Sequence, residues 1–436
     1  MHKYLKWMFL PVGGALLFLL AMTWFTGYQV DRRLADWLVS AGKMPGIATS
    51  WFDQEKSLFT RKAELHLLIA EPAQLLTMSP SLNGDNQLRN WLQQQGTLEL
   101  YIELQHSIFP GFIQGKARIN MQRGSFANLP EKLNIPHDIY WKINSYTGDI
   151  VTGLNMEQWN WLRDEQTWLV SPLNIQAKLS GTEQIDLAVV WQGMEWRDDR
   201  NSEQGKLSNL TLESKLTVND GLWLMPQAKL DLEQLELRQP DRQLQLKQWH
   251  WLADIRENRD GLLSVVDVNS HSDIQSLSYS SPQNDYQLSE LKTGFALGGV
   301  NREGVEALLM NSGLDADNIA KWKAGLNLIT RSGVHFRLDP FNLQLNRQPV
   351  KIHGELTTRP FDISQVHEVA SMRSLLQGDL SVEIAQTLAQ QFTSVAGTLP
   401  DLLSDGYLEQ DMAGHISTKI RMVNGKLSAN GVAVPY

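Results

Sequence analysis

The sequence predicts a mainly β protein with helical insertions (α+β): an elongated, curled antiparallel sheet with bulged long strands, preceded by one transmembrane helix. Three observations predict it. Residues 7–30 carry no charge. From about residue 60 onward, apolar and polar residues alternate with the period of half-buried strands. Over 206–297 that alternation is nearly unbroken, and no Pro- or Ser-rich linker divides residues 50–436, which fits one continuous domain.

The uncharged run, WMFLPVGGALLFLLAMTWFTGYQV, lies between Lys6 and Asp31. As a helix it spans about 36 Å, enough for a ~30 Å hydrocarbon core. Trp7 at one end and Trp24 and Tyr28 at the other suit the headgroup level. Pro11 falls in the first turns, where a missing amide hydrogen costs least. Cleavage as a signal peptide would have to use Ala21-Met22-Thr23 before Trp24, a poor small-x-small site. Residues 1–30 therefore read as a short cytoplasmic tail and a retained anchor, with the large remainder on the far side. Val30, Leu34, Trp37 and Leu38 recur at helical spacing, so 31–48 reads as a juxtamembrane helical stalk ending near Gly42 or Pro45; adsorption of that helix on the interface is the alternative.

Residues 49–436 form the β-rich domain. Glu64–Leu67, Leu98–Leu104 and Ile139–Ile143 alternate as strands, and Leu210, Leu212, Leu216 and Val218 keep one phase. Leu230-x-Leu232-x-x-Leu235-x-Leu237 is echoed by Leu244-x-Leu246-x-x-Trp249-x-Trp251. In both, the apolar pairs stand one residue further apart than alternation allows. A mid-strand bulge would restore the facing; a strand passing between two differently covered regions would also do so. Helical subregions are expected at about 299–330 and 383–412. Val305, Leu308 and Leu309 follow Asn301, Ile319 and Trp322 follow Asp317 as N-cap, and Ile384, Leu388, Phe392 and Val395 form a stripe ended before Pro400. His335–Leu345 and Val350–Leu356 return to strand. The chain closes on a hairpin, 415–434, through Asn424-Gly425, the residue pair that suits a type I′ turn.

Composition excludes whole classes of chemistry. With no cysteine, thiol nucleophiles, disulfides and cysteine metal sites are absent. The net charge is −9, and because residues 1–30 contain two lysines and no acid, the remainder carries −11. That average field repels phosphate-rich partners, so neither nucleic acid nor anionic headgroups are expected as generic ligands, which leaves room only for a local basic patch.

The closing residues carry a resemblance. Gly406-Tyr407-Leu408, Asp411 and the hairpin ending Gly425-x-Leu427-x-x-Asn430-Gly431 resemble the C-terminal signature of the YdgA/YihF-like family of bacterial envelope proteins (domain of unknown function 945). Thr26-Gly27 after the anchor, and Lys56-Ser57-Leu58-Phe59-Thr60, are similar to the family's front end, with Lys and Ser where its Arg-Gly-x-Phe-Ser pattern has Arg and Gly. His106-Ser107-Ile108-Phe109-Pro110 is similar to its His-Gly-Pro-Phe-Pro. The resemblance implies an inner-membrane-anchored, single-pass periplasmic protein of largely β structure. It brings no active site with it.

Side-chain chemistry is sparse. Ten histidines are scattered without ligand spacing. His271 with Asp273, and His335 near Asp339, read as hydrogen-bonded surface pairs, and Asp315 and Asp317 as helix-start acids. No cofactor or metal is expected. The sharper feature is tryptophan: Trp159 and Trp161, like Trp249 and Trp251, stand two apart, so each pair shares a sheet face. They either fill a core beneath covering helices or line a groove for acyl chains or glycans. Three functions stay open: a non-enzymatic envelope binding protein tethered to the inner membrane through 7–30, with an envelope protein or lipid as partner; a lipid-binding or lipid-transfer protein using an apolar groove; and a hydrolase with a dispersed site.

Overall fold

The computed structural model describes residues 47–435 except 58, 71–96, 121, 126–135, 145, 164, 182, 220–221, 261–262, 311–315, 363–373 and 392–396; of the first 46 it describes Thr23, Tyr28 and Arg32. Nearly all of the anchor expected at 7–30 and of the stalk expected at 31–48 thus lies outside the described residues. Among the described residues no helix is long and apolar enough to cross a membrane. The chain is mainly β, antiparallel throughout, and divides into two compact units, residues 1–191 and 192–436.

In the first unit, β1 (Ile47–Lys56), β2 (Thr60–Ile69), β3 (Leu98–Phe109), β4 (Phe112–Ile119), β5 (His137–Asn144) and β6 (Ile150–Met156) pair each with the next. β7 (Trp159–Arg163) and β8 (Gln166–Val170) form a hairpin, after which β9 (Leu173–Ser180) returns to β6 and β10 (Gln184–Asp198) pairs with β9. Residues directly opposite in a ladder share a face. Ala63, Leu104, Ala117, Ile139, Leu154, Ile175 and Val189 therefore make one apolar row across seven strands. Gly115 in β4 leaves room for the Trp141 ring, which a Cβ there would meet at 2.2 Å.

In the second unit, β11 (Glu203–Asn219), β12 (Leu222–Arg238), β13 (Gln243–Asp260), β14 (Leu263–Ser280) and β15 (Asp285–Asn301) run 17 or 18 residues each. A helical pair, α1 (Arg302–Met310) and α2 (Ala316–Ser332), precedes β16 (His335–Leu345), β17 (Gln348–Thr358) and β18 (Leu376–Ala385). Two short helices, α3 (Gln386–Gln391) and α4 (Leu399–Ser404), then lead through β19 (Glu409–Gln410) to β20 (His415–Val423), which pairs with β18, and to β21 (Lys426–Ala429) and β22 (Val432–Ala433). Asn301 caps α1, its Oδ1 accepting from the Gly304 amide at 2.9 Å.

The three-residue steps in the long strands have one cause. Asn209, Gln248 and Glu290 all sit at positive φ, near +50°. They align with Glu233 of β12 and Gln275 of β14 in a single row, because the pairings on either side keep one register from β11 to β15. Against β16, β15 carries one residue more between Ser289 and Lys292, a bulge at Glu290. Leu345 and Phe341 share a face of β16, and they pair with Leu288 and Thr293 on the two sides of that bulge. The apolar pairs before and after the row thus face the same way. The mid-strand bulges expected within Leu230–Leu237 and Leu244–Trp251 are not found: at this row β11–β15 form a coordinated crease in which no strand gains a residue on its neighbour, and an extra residue appears instead on β15, against β16.

Other expectations are corrected. Ile384 lies within β18, which ends at Ala385, and is not part of a helical stripe; the helix after it covers Gln386–Gln391, and residues 392–396 lie outside the described residues. Pro400 opens α4 where it was expected to close a helix, since a first-turn residue needs no amide hydrogen. α2 begins at Ala316, so Asp317 stands inside its first turn and not at the cap. By contrast, Leu210, Leu212, Leu216 and Val218 all lie within β11, and at the register shift beside Leu216 the extra residue is on β12, where Met225 and Pro226 stand between the partners of Lys215 and Thr217.

A non-glycine residue at positive φ costs about 1 kcal/mol, more if β-branched. Gln248→Gly should leave stability unchanged or raise it by up to ~1 kcal/mol, whereas Gln248→Val should lower it by about 1–2 kcal/mol. Urea midpoints decide this; a glycine variant less stable than the valine variant would refute the crease.

Candidate functional site

Beyond the crease, one row crosses nine strands of the second unit: Leu212, Leu230, Trp251, Ser272, Thr293, Phe341, Ile352, Val382 and Thr418. Beside it run Leu210, Leu232, Trp249, Ile274 and Leu291. Neither row holds a charge. All these residues are half-buried except Leu232, which is buried. At ~4.8 Å per strand the longer row covers about 38 Å measured along the sheet. The opposite face of the same strands carries Thr211, Asp231, His250, Asp273, Lys292, Asn342, Lys351, Glu383 and Ser417 in register. The sheet is apolar on one side and polar on the other.

Helices close two corners of the apolar side. Val305 of α1 packs, with Ile255 and Val268, on the buried cluster of Leu222, Leu224 and Val266; Ile255, Val266 and Val268 lie on the same face as Trp251. Arg302, buried at the start of α1, bridges Glu257 and Glu306 at 2.8 Å each and ties the helix to β13. At the other corner Ala389, Leu399, Leu403 and Leu408 pack over Ile384 and Ile416. Between these corners stand the two tryptophans. Trp249 Nε1–H donates to Ser272 Oγ and Trp251 Nε1–H to Ser270 Oγ, both at 2.9 Å. The polar edge of each indole is tied to its own sheet, so the surface it offers is carbon.

Of the four tryptophans singled out in the sequence, Trp249 and Trp251 share a face as expected. Trp159 and Trp161 belong to β7 in the other unit, opposite Val170 and Trp168, and Trp159 Nε1 has no partner among the described residues. The sequence pattern did not disclose Phe341, Ile352 and Val382, whose place in the row depends on register across two bulges.

Polar clusters lie on strand faces. His66 Nε2 meets Glu99 Oε1 at 2.7 Å, its ring stacks on Tyr101 with centroids 4.5 Å apart, and Ser50 Oγ stands 3.4 Å from Nδ1. Tyr101 donates its hydroxyl to Glu99 at 2.8 Å, and Arg123 covers the Tyr101 ring while pairing with Glu64. Ser50 and Tyr101 each lie directly opposite His66, so this is a cross-strand ladder, and 3.4 Å is at the outer limit for a hydroxyl to hand over a proton. A cavity of about 360 Å³ between Gln54, Lys62, Glu103, Lys116 and Arg118 contains no histidine in its lining. His335 pairs with Glu355 at 3.6 Å and not with Asp339, while His271 and Asp273 stand on the polar face, where Asp273 is opposite His250. Among the described residues no three acidic or histidine side chains gather as a metal site.

The signature residues lock the C-terminus. Gly406, at φ +76°, turns the chain out of α4, and Tyr407 donates its amide to Leu402 O at 2.9 Å. Asn430 Nδ2 donates to Tyr407 O at 3.2 Å, its Oδ1 accepts from the Lys419 amide at 2.8 Å, and Thr418 Oγ1 donates to Tyr407 O at 2.9 Å. Asn424 and Gly425, at +53° and +75°, form the expected turn, while Leu427 O accepts from Val434 and Gly431 follows Asn430 at +83°. These residues tie the chain leaving α4 to the final hairpin, a structural role.

The family model described as "Bacterial protein of unknown function (DUF945)" matches residues 1–436. The chain belongs to the DUF945 family. No curated protein and no solved structure matches it. The signature residues are thus explained by packing, and they meet the apolar row at its end, where Thr418 donates to Tyr407 O.

Several carboxylates are held below their ordinary range. For Glu99 the causes are hydrogen bonds from Tyr101 and His66, and for Asp138 those from Arg118 and Lys116. Burial pushes Asp231 up, but Lys229 and His250 outweigh it; the His415 amide does most at Asp411. A carboxylate with a folded pKa below its unfolded value stabilises the fold above the unfolded value, and that stability is lost as pH falls through the folded one. The urea midpoint should be flat between pH 7 and about 5 and fall below about pH 4, with a shallower fall in Asp138→Asn. An identical acid limb in that variant would contradict the assignment.

Proposed function

We propose that the protein binds lipid, laying acyl chains along the uncharged face of the creased, curled sheet in its second unit, and that it does so tethered to the bacterial inner membrane by residues 7–30 with its bulk in the periplasm. The observation that carries this reading is the nine-strand row from Leu212 to Thr418, apolar or hydroxyl-bearing throughout and half-buried. A hydrocarbon chain requires such a surface, since it offers neither donors nor acceptors and gains about 0.8 kcal/mol per methylene removed from water. Glycans fit less well, because the indole N–H groups are already committed to Ser270 and Ser272. Tethering is supported by the uncharged run itself, with aromatic residues at its ends. On this reading the protein is a binding protein of the envelope, and no catalytic step is assigned to it.

A photo-reactive benzoyl-phenylalanine placed in the full chain in cells tests this. At Ile274 or Ile352 it should yield adducts whose added mass is that of phospholipid; at His250 or His353, on the other face, it should not. Protein adducts alone at the apolar positions, or equal lipid labelling on both faces, would sink the reading.

A further inference from the structure

Three turns at one edge of the first unit carry aromatic side chains that the apolar face does not use. Between β1 and β2 stands Phe59, 49% exposed; between β3 and β4, Phe109 and Phe112 flank Pro110-Gly111 with rings stacked at 4.8 Å, Phe109 being 36% exposed; between β5 and β6, Tyr146 is 71% exposed. Alternate turns of a meander fall on the same edge, and these three are also joined. Phe59 O accepts from the Ile108 amide at 2.7 Å, and the Tyr146 ring lies so close over Gly111 that a Cβ there would meet it at 1.8 Å. Cations accompany them. Lys56 and Arg61 flank the first turn, with Arg61 donating to Ser57 O at 2.9 Å, and Lys142 Nζ stands 5.6 Å from the centre of the Phe112 ring. The acids among the described residues of this edge are Asp149 and, on the following turn, Glu183; Glu55 is paired with Lys62. In a chain of net charge −9, the three turns carry three cations against Asp149.

Exposed aromatics are unfavourable in water, and three on neighbouring turns, with the half-buried Phe112 beside them, form a patch of the kind that marks an interaction surface. We propose that this edge is a membrane-docking tip, in which Phe59, Phe109, Phe112 and Tyr146 enter the headgroup–acyl boundary of a bilayer while Lys56, Arg61 and Lys142 meet anionic headgroups. Ring amphipathicity favours that depth, and flanking cations add attraction that salt weakens. The chain enters β1 at Ile47, the end of the strand away from the tip, about 34 Å off for ten extended residues. The proposal stands independently of acyl-chain binding by the second unit.

The absence of cysteine permits a clean test. The full chain, reconstituted in nanodiscs, is labelled with a polarity-sensitive dye at Thr147→Cys on the tip or at Glu157→Cys beyond the opposite end of β6. Vesicles of phosphatidylethanolamine and phosphatidylglycerol are then added. A blue shift of the tip label, quenched by brominated lipid either in the nanodisc or in the vesicles, supports docking. Phe59→Ser with Phe109→Ser should weaken the vesicle response about ten-fold, and Lys56→Gln with Lys142→Gln should remove its salt dependence. A tip label that stays water-like in both bilayers overturns the proposal, as does an equal response at position 157. A blue shift that grows with protein concentration without lipid also overturns it, in favour of a second copy as occupant.

Discussion

The second unit depends on the register shared by β11–β15. In an antiparallel ladder residues directly opposite one another share a face, so one strand cannot change phase alone: its leucines would come to oppose charged residues on both neighbours. The change must occur in every strand at one row, and it does so at Asn209, Glu233, Gln248, Gln275 and Glu290. Three of these accept positive φ, a local cost offset by keeping the rows on either side apolar in register. The uncharged face, the placing of Trp249 and Trp251 upon it, and the polar row from Thr211 to Ser417 behind it all follow.

This also explains what was legible in the sequence. Period-two alternation disclosed the strands, because each is half-buried and the pattern is local. The spacing Leu246-x-x-Trp249 disclosed that a phase change occurs. It could not disclose that neighbouring strands change together, since nothing in the side chains of Gln248 or Glu290 announces positive φ; the register imposes it. The common face of Trp249 and Trp251 was legible, but the serines that receive their N–H groups lie on another strand. Ile384 fitted a helical stripe by spacing, yet its pairing with Ile416 holds it in the sheet. Aromatic residues at three alternate turns were visible as letters only, because their adjacency depends on strand order.

The C-terminal signature shows a different use of sequence. Its residues are ones that backbone geometry selects: Gly406, Gly425 and Gly431 for positive φ, and Asn430 because one amide side chain can accept from one strand while donating to the chain leaving α4. A signature of this kind identifies the fold without pointing to chemistry. The apolar face lacks such residues. Any mixture of Leu, Ile, Val, Phe and Trp would serve, so it leaves little trace in a motif and much in a pattern.

The energetics of a one-sided face bear on what kind of lipid binding is proposed. A methylene group fully removed from water gains about 0.8 kcal/mol, but a chain lying on an open sheet is covered on one side and gains roughly half of that. A bilayer covers it on all sides. Such a face therefore cannot outcompete a membrane for an acyl chain by burial alone, and on the proposed reading it suits passage better than storage: contact along about 38 Å of uniform surface, with no charge along the rows to arrest a chain. Ser272 and Thr293 within the longer row add to this uniformity, since short hydroxyl-bearing side chains leave shallow points where aliphatic neighbours would otherwise interlock.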